Sequence, residues 1–536
     1  MKRHAGRFFF LTIILILFIF VNVTSLADDY ARVEDFRGGR LEDDVFLPMI
    51  AAWINADGSL TVTVDGTRYN RGSQIPYLSD DMQVMVPLSF VREVFSCSAT
   101  VHDGEIRLKR GKQKAVFPLF QAKGEYEAAL PLDDICEEFG ASYSWDPDTA
   151  AAQVDTTLLE APELPARFDL RKEGRMTPVI DQGTDETCWA YAAAEAVMSS
   201  GLPQHKRNVS PESIVKKTGI SYGDESGGDY VMALSYFLSW QGAEDFHIQE
   251  ARFFNKGDSD RIKTAVMQNG GVTSSLYIQI SDSGGATGYY NPNTFGYRYG
   301  GYMGPNHDIV IIGWDDNYPA SSFYGGAAGD GAYICQNSWG SDFGEDGVFY
   351  VSYYDVNIEK QSVSYSLAEG SDNYDIIHQS DRYGWLGQAG YNRSSCFGAA
   401  IYQAKADEKL RAAGFYATGE GTSYEIYVVP EFTDTSSLAG RISVASGTLR
   451  DAGYYTIPFD KDVFISAGTV FSVVIYVSTP DAQEPLAIEY ASGRIADPSA
   501  IDISDGKGYF SRDGLSWHSI EKKTGGNLCL KVYADE

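Results

Sequence analysis

The sequence predicts a multidomain α+β chain: a small α/β repeat module, then a central segment of helices and strands, then an antiparallel β-sandwich. Three observations predict it. A strand–helix–hairpin pattern occurs twice, with Pro87 and Pro131 at equivalent points 44 residues apart. An apolar, alanine-rich run begins at Cys188 and has the composition of a buried helix. Beyond Leu367 strands dominate: Tyr424, Ile426 and Val428 alternate with polar residues, as do Phe471, Val473, Ile475 and Val477, with glycine-rich turns between. A chain of 536 residues exceeds one ordinary core, and 44% hydrophobic content suits folded domains.

In chain order, Lys2, Arg3 and Arg7 precede an uninterrupted apolar stretch from Phe8 to Val21, and Thr24-Ser25-Leu26-Ala27 supplies small residues before Asp28-Asp29. Residues 1–27 therefore read as a secretory signal, short for a membrane span, and membrane contact is expected only through an uncleaved signal. In residues 45–158, Val84 to Phe95 is echoed by Ala128 to Phe139, and each copy runs into a strand pair, Ala99 to Leu108 and Ser142 to Val154. Two roles compete for this module: a surface-attachment spacer, which is favoured, or an atypical pro-domain over a cleft. Glu160-Ala161-Pro162-Glu163 is a natural linker and processing point. The net charge of −30 argues against nucleic acid or an anionic membrane surface as partner. Six cysteines are sparse for an exported chain, and no spacing among them suggests zinc; a Cys396–Cys529 bridge is an open alternative. Asp315-Asp316-Asn317 and Asp502 to Asp505 lack the spacing of a calcium loop and read as solvated turns.

The chemistry is concentrated between residues 163 and 367. Cys188 would sit at a helix N-terminus, where free N–H groups and the macrodipole favour a thiolate, with Thr187 as a possible cap. A thiolate that attacks a carbonyl needs a proton donor for the leaving amine, and His307 is the candidate. Asn337 can hold the other ring nitrogen through its side-chain oxygen, while Trp339 shields that bond from water. Gln182, six residues before Cys188, can place its amide beside the Cys188 backbone N–H and stabilise an oxyanion.

Gln182-Gly183 leading to Cys188-Trp189-Ala190, then Asn306-His307, then Asn337-Ser338-Trp339-Gly340 followed by Phe343-Gly344-Glu345-Asp346-Gly347, resembles the papain-like cysteine peptidases. The resemblance implies a two-lobed catalytic domain over residues 163–367, a helical lobe against a β-barrel-like lobe. By the same likeness, Leu164 to Arg171 is the mature start and Val209-Ser210-Pro211-Glu212 begins the second helix. Gly227 and Gly228, followed by Asp229-Tyr230, lie beside substrate main chain with Trp339. Gly228 would bond the residue two before the cut. Where many members carry a cysteine three before the nucleophile, this chain has Asp185, so their buttressing disulfide is missing, and the Asp185-Glu186 pair is expected to raise the thiol pKa.

Residues 45–158 resemble the small domain at the N-terminus of copper amine oxidases, which carries no copper. Residues 371–536 resemble the lectin-like domain that follows some bacterial papain-like peptidases; there Tyr383, Trp385 and Trp517, read as exposed, are candidates to stack on sugars of a cell-surface glycan. His102, His378 and His518 read as structural or solvated. The expected whole is a secreted or cell-surface cysteine endopeptidase acting on proteins or peptides through an acyl-enzyme, with no metal or organic cofactor. The alternative is an adhesion or glycan-binding protein on a papain-like scaffold, which an Ala or Ser at position 188 would have favoured. Amide transfer or cell-wall peptide cleavage by a similar Cys-His pair is disfavoured by the Asn337 motif and the Gln182 spacing.

Overall fold

A computed structural model describes residues 60–536 apart from 70, 73, 121–127, 158, 160–162, 204, 219–226, 241–245, 280–287, 492–500 and 505–506. The signal segment, residues 45–59, residues 160–162 of the linker, Ser226 and Asp505 thus lie outside the described residues.

The two sequence copies in the first module build the same unit twice. Strand Val84–Pro87 leads into helix Leu88–Val94, and strand Ala129–Pro131 into helix Leu132–Phe139. Each proline occupies the position just before its helix, at φ −68° and −62°, where its fixed backbone suits the turn and no N–H is needed. The two leading strands pair antiparallel with each other, Val86 opposite Leu130, so the copies meet about a local twofold. Leu88, Phe90, Val91, Leu132, Ile135 and Phe139 fill the core between them.

Further along, Ser210 caps helix Pro211–Lys217 by accepting from Ser213 N–H, and Asp229 caps helix Tyr230–Leu238 by accepting from Val231 N–H. Helix Cys188–Gly201 runs buried on nearly every side, and its alanines at 192, 193, 194 and 196 explain how it can. Small side chains let strand His307–Asp315 and the Gly270-Gly271 turn approach closely: a Cβ on Gly271 would lie 2.5 Å from Val310 Cγ1. Around that strand the sheet runs Val348–Ser352, Ala332–Gln336, His307–Asp315, Val272–Leu276, Ser362–Gly370 and Phe246–Phe254. Strand Arg167–Asp169 pairs with the last residues of strand His307–Asp315, Phe168 opposite Trp314.

The C-terminal part is a two-layer sandwich, but it is not a separate bead. One layer has six strands, including Thr422–Val429, Val470–Ser478 and Ser395–Gln403. The other, built on Ala452–Ile465, Glu408–Ala417 and Leu530–Asp535, continues the sheet of the preceding domain: Glu250 pairs with Tyr455, Ala251 with Tyr454 and Arg252 with Gly453. Gly453 permits the join, since a Cβ there would lie 2.1 Å from the Ala251 carbonyl oxygen. The residues expected to face the sandwich core do so: Tyr424, Ile426, Val428, Phe471, Val473, Ile475 and Val477 are buried together. Tyr383 departs from expectation, being buried at 2% exposure in the neighbouring core, while Trp385 and Trp517 are half-buried. His378 is buried with its Nε2 2.6 Å from Glu408 Oε2. All six cysteines are free; Cys396 and Cys529 are both buried, in different core clusters, and no bridge joins them.

The first module docks where three parts of the chain meet. Arg71 pairs with Glu250 at 2.7 Å and Glu93 at 3.4 Å; Arg252 reaches Glu250, Glu93 and Asp451; Arg261 pairs with Asp451 at 2.5 Å. Gln268 donates to the Arg92 carbonyl. Leu88 and Arg92 there share a small cavity with Ser200 and Gly201 at the far end of the Cys188 helix. That helix has 14 residues, so this end lies about 20 Å from Cys188 at 1.5 Å per residue. The described part of the module therefore sits behind the helix rather than over Cys188.

Candidate active site

Two loops are laced together to make the floor of the site. Gln182 N–H donates to the Ser338 carbonyl at 2.8 Å, Gly340 N–H to the Ile180 carbonyl at 3.2 Å, and Asp181 bridges Trp339. Gly183 takes φ +68°, a turn that favours glycine. Ser338 Oγ donates to Gln182 Oε1 at 2.5 Å, fixing which way that amide faces. Gln182 Nε2 donates to the Asp185 carbonyl at 2.6 Å, so one amide hydrogen is turned into the loop, which the spacing alone did not reveal.

Cys188 opens its helix as expected, but Thr187 caps it with no side-chain hydrogen bond; only its carbonyl engages, accepting from Ala190 and Tyr191. His307 begins its strand at the opposite wall. Its Nε2 lies 2.8 Å from Asn337 Oδ1, and both side chains are buried. The bond leaves Nδ1 as the ring nitrogen available for the sulfur side. Asn337 Oδ1 also accepts from Ser338 N–H at 3.0 Å, and Asn337 N–H donates to the Gly347 carbonyl, so this side chain is locked from both ends. Trp339 lies against the imidazole at 4.8 Å between ring centroids and is held edge-on by Phe343 at 5.1 Å. On the helical side, Gly227 adopts φ +65° beside Glu186, and a Cβ on Gly228 would lie 2.4 Å from Trp189 Nε1. Ser338 thus ties Gln182 to the loop of Asn337 and Trp339, both of which contact His307, while Gly227 and Gly228 pack against Glu186 and Trp189 on either side of Cys188.

The electrostatics differ from the expectation of a thiolate favoured by the helix end. Burial, and then the charge of Asp308, push the Cys188 thiol up to about 12, against the opposing hydrogen bonds of the Asp308, Trp189 and Cys188 backbone N–H groups. The acidic pressure comes from Asp308 rather than from the expected Asp185-Glu186 pair. Burial pulls His307 down to about 4, with the Asn337 bond acting the other way. Both shifts favour the uncharged forms, a thiol at Cys188 and a neutral imidazole at His307. Two further groups of this site escaped the sequence reading: Ser338, which bonds Gln182, and Asp308, which acts on Cys188. Both carried a signal, Ser338 by lying inside the Asn337-Ser338-Trp339-Gly340 motif and Asp308 by following His307. The acidic turns hold protein partners: Asp315 pairs with Arg167, and Asp316 with Lys263 and the Tyr353 hydroxyl.

The family model described as "Papain family cysteine protease" matches residues 164–247 and 239–366, and that described as "Lectin like domain" matches residues 377–534. A probable cysteine protease of Arabidopsis thaliana, RD21C, is 28% identical over 209 residues, 35% of this chain and 43% of its own length. Ananain of Ananas comosus is 29% identical over 202 residues, 34% of this chain and 54% of its own. The chain thus spans about half the length of these curated relatives. The cysteine protease and lectin-like domains of Cwp84, a surface layer associated protein of Clostridium difficile, superpose with a TM-score of 0.60 at 21% identity, over 70% of this chain and 89% of that one. That likeness establishes the shared two-domain fold. Residues 164–366 of this chain are a papain-family cysteine protease domain, joined to a lectin-like domain over residues 377–534.

Proposed function

We propose that the chain is a secreted or cell-surface cysteine endopeptidase that cleaves peptide bonds through an acyl-enzyme at Cys188. The observation that carries this is the 2.8 Å contact of His307 Nε2 with Asn337 Oδ1, which orients the ring and leaves Nδ1 to exchange a proton with Cys188. The thiol gives its proton to His307 and the sulfur attacks the scissile carbonyl carbon. The Cys188 N–H and the second hydrogen of the Gln182 amide stabilise the oxyanion. The imidazolium protonates the departing amine, and His307 then takes a proton from the water that hydrolyses the thioester. Asn337 keeps the ring in place, Trp339 keeps water from that bond, and Gly227 and Gly228 leave room for substrate main chain.

Export is supported by Lys2, Arg3 and Arg7 before the apolar stretch from Phe8 to Val21. The module over residues 45–158 acts as a spacer of the copper-amine-oxidase N-terminal type; its attachment behind the Cys188 helix favours that role over a cover for the cleft. Glycan contact by the lectin-like domain rests on the half-exposed Trp385 and Trp517. The decisive experiment is hydrolysis of a mixed fluorogenic peptide library by the exported chain under reducing conditions, beside Cys188→Ala. Cleavage lost in the variant supports the peptidase reading; silence from both supports the adhesion alternative.

A further inference from the structure

The lectin-like domain buries a lysine together with two carboxyls. Its last strand, Leu530–Asp535, pairs antiparallel with its first, Ile376–His378, Val532 opposite His378, so Lys531 comes next in register beside Gln379 and the turn that carries Asp381. Lys531 is 1% exposed and Asp381 not at all. Lys531 Nζ donates to Gln379 Oε1 at 2.8 Å and to the Asp381 carbonyl at 2.5 Å, and it stands 2.9 Å from Asp381 Oδ2. Buried Glu489 closes in from strand Leu486–Tyr490. It accepts from the Tyr383 N–H at 2.6 Å and from Asn527 Nδ2 at 2.9 Å, and the same Asn527 amide donates to the Ser380 carbonyl at 3.0 Å. Buried Tyr416, Tyr454 and Tyr533 lie within reach of the Asp381 charge, so aromatic rings wall the cluster off from solvent. Burial raises both acids above the usual carboxylate range, opposed by the Lys531 charge at Asp381 and by the Tyr383 N–H at Glu489. The Asp381 charge raises Glu489 further, and two carboxyls within reach of each other's charge resist joint ionisation.

We propose that Lys531 Nζ and Asp381 Cγ condense to an amide, a covalent clamp across the lectin-like domain. Condensation needs an unprotonated amine facing a protonated carboxyl, and the cost of holding two ions away from water favours that uncharged pair. A proton passing from Nζ to the Asp381 carboxyl creates it. The amine's two remaining hydrogens keep Gln379 Oε1 and the Asp381 carbonyl, which leaves the nitrogen lone pair facing the carboxyl. Asp381 Cγ lies one bond beyond an oxygen at 2.9 Å, in the range from which bond formation starts. The lone pair forms the N–C bond, the C–OH bond breaks, and the hydroxyl leaves as water with a proton from the nitrogen. The step neither oxidises nor reduces any atom and calls on no co-reactant. Asp381 and Lys531 stand near the two ends of the lectin-like match, residues 377–534, so the amide closes a loop of almost the whole domain and restricts its unfolded chain as a long-loop disulfide does. With all six cysteines free, this clamp also survives the reducing conditions that keep Cys188 a thiol. It holds whether or not Cys188 is active.

The test is the mass of the purified full chain, unfolded in denaturant, and of its tryptic peptides, for wild type, Asp381→Ala and Lys531→Arg. The arginine variant keeps the positive charge beside Asp381 but offers no amine to condense, so it separates the bond from the ion pair. Wild type should weigh one water less than its sequence, counted from the N-terminus that its own peptides define. Its digest should contain a branched peptide joining Asp381 to Lys531, with no cleavage after Lys531. Both variants should carry their full mass and give linear peptides. The wild-type measurement decides alone if a variant fails to fold. Wild type at full mass, with Asp381 and Lys531 recovered in separate linear peptides, overturns the proposal and leaves a buried ion pair. A missing water without the branched peptide overturns it as well.

Discussion

Glu250 holds two arginines from different parts of the chain, and Glu250→Gln isolates what that charge contributes. Its carboxylate accepts from Arg71 at 2.7 Å, Arg252 at 2.5 Å and Ser366 at 2.8 Å. Burial opposes its ionisation, yet Arg252 and Arg71 outweigh burial and hold the carboxyl below the ordinary glutamate range. Glutamine keeps the shape and removes the charge, leaving the two guanidiniums with Glu93 at 3.4 Å from each and Asp451 at 3.6 Å from Arg252. Breaking a buried ion pair from one side costs about 3–5 kcal/mol. The remaining carboxylates and the slight exposure of both arginines place this case near about 3 kcal/mol. The loss should appear in urea unfolding at pH 7.5 followed by tryptophan fluorescence, together with faster proteolysis between residues 155 and 163. If several phases appear, the first is the one to compare, because a multidomain chain need not unfold in one step. The sign with pH is fixed: a depressed carboxyl stabilises the fold above its unfolded pKa, so wild type and variant should converge as pH falls through the acid range. A shift worth less than about 1 kcal/mol, the behaviour of an exposed pair, would refute the reasoning.

Asn337→Ala removes the 2.8 Å restraint on His307 and should lower kcat by about 10- to 100-fold with little change in KM, read by steady-state peptide hydrolysis. Glu195, buried within the Cys188 helix, has its carboxyl raised by burial against hydrogen bonds from Gln336 and the Ile180 backbone, so its protonated form stabilises the fold at acid pH and the benefit is lost as pH rises. Glu195→Gln should consequently melt higher than wild type at pH 8 and alike at pH 4. Gly453→Val drives a side chain to 2.1 Å from the Ala251 carbonyl oxygen and should split the shared sheet, visible as separate melting of the two domains by calorimetry.

The local structure around the candidate site was legible because it is written in short windows. Cys188 at the head of an apolar run, His307 at a strand start and Asn337-Ser338-Trp339-Gly340 each state a residue type and a local structure together: the helix opens at Cys188, the strand at His307, and Asn337 reaches His307. The Pro87 and Pro131 copies were legible for the same reason, each proline marking a strand-to-helix turn. What escaped was set by partners remote in sequence. Thr187 has the right chemistry for a cap, but its φ −112°, ψ 13° is not the extended backbone that such caps adopt. Tyr383 looks like any loop aromatic until helix Tyr230–Leu238 packs beside it.

The junction of the three parts escaped for a deeper reason. Strand Phe246–Phe254 carries His247, Gln249, Glu250 and Arg252, and from Glu250 to Phe253 it is paired on both edges, by Ser362–Gly370 and by Ala452–Ile465. A central strand has no N–H or C=O left for water, so its side chains decide alone whether the surroundings may be polar. Here Arg71 and Glu93 from the first module and Asp451 from the last supply the opposite charges, which makes burial tolerable only when all three parts are in place. A polar strand in the middle of a sheet is thus the mark of a joint between domains. The cost of leaving its charges unpaired makes the joint selective: it holds the described part of the module behind the Cys188 helix.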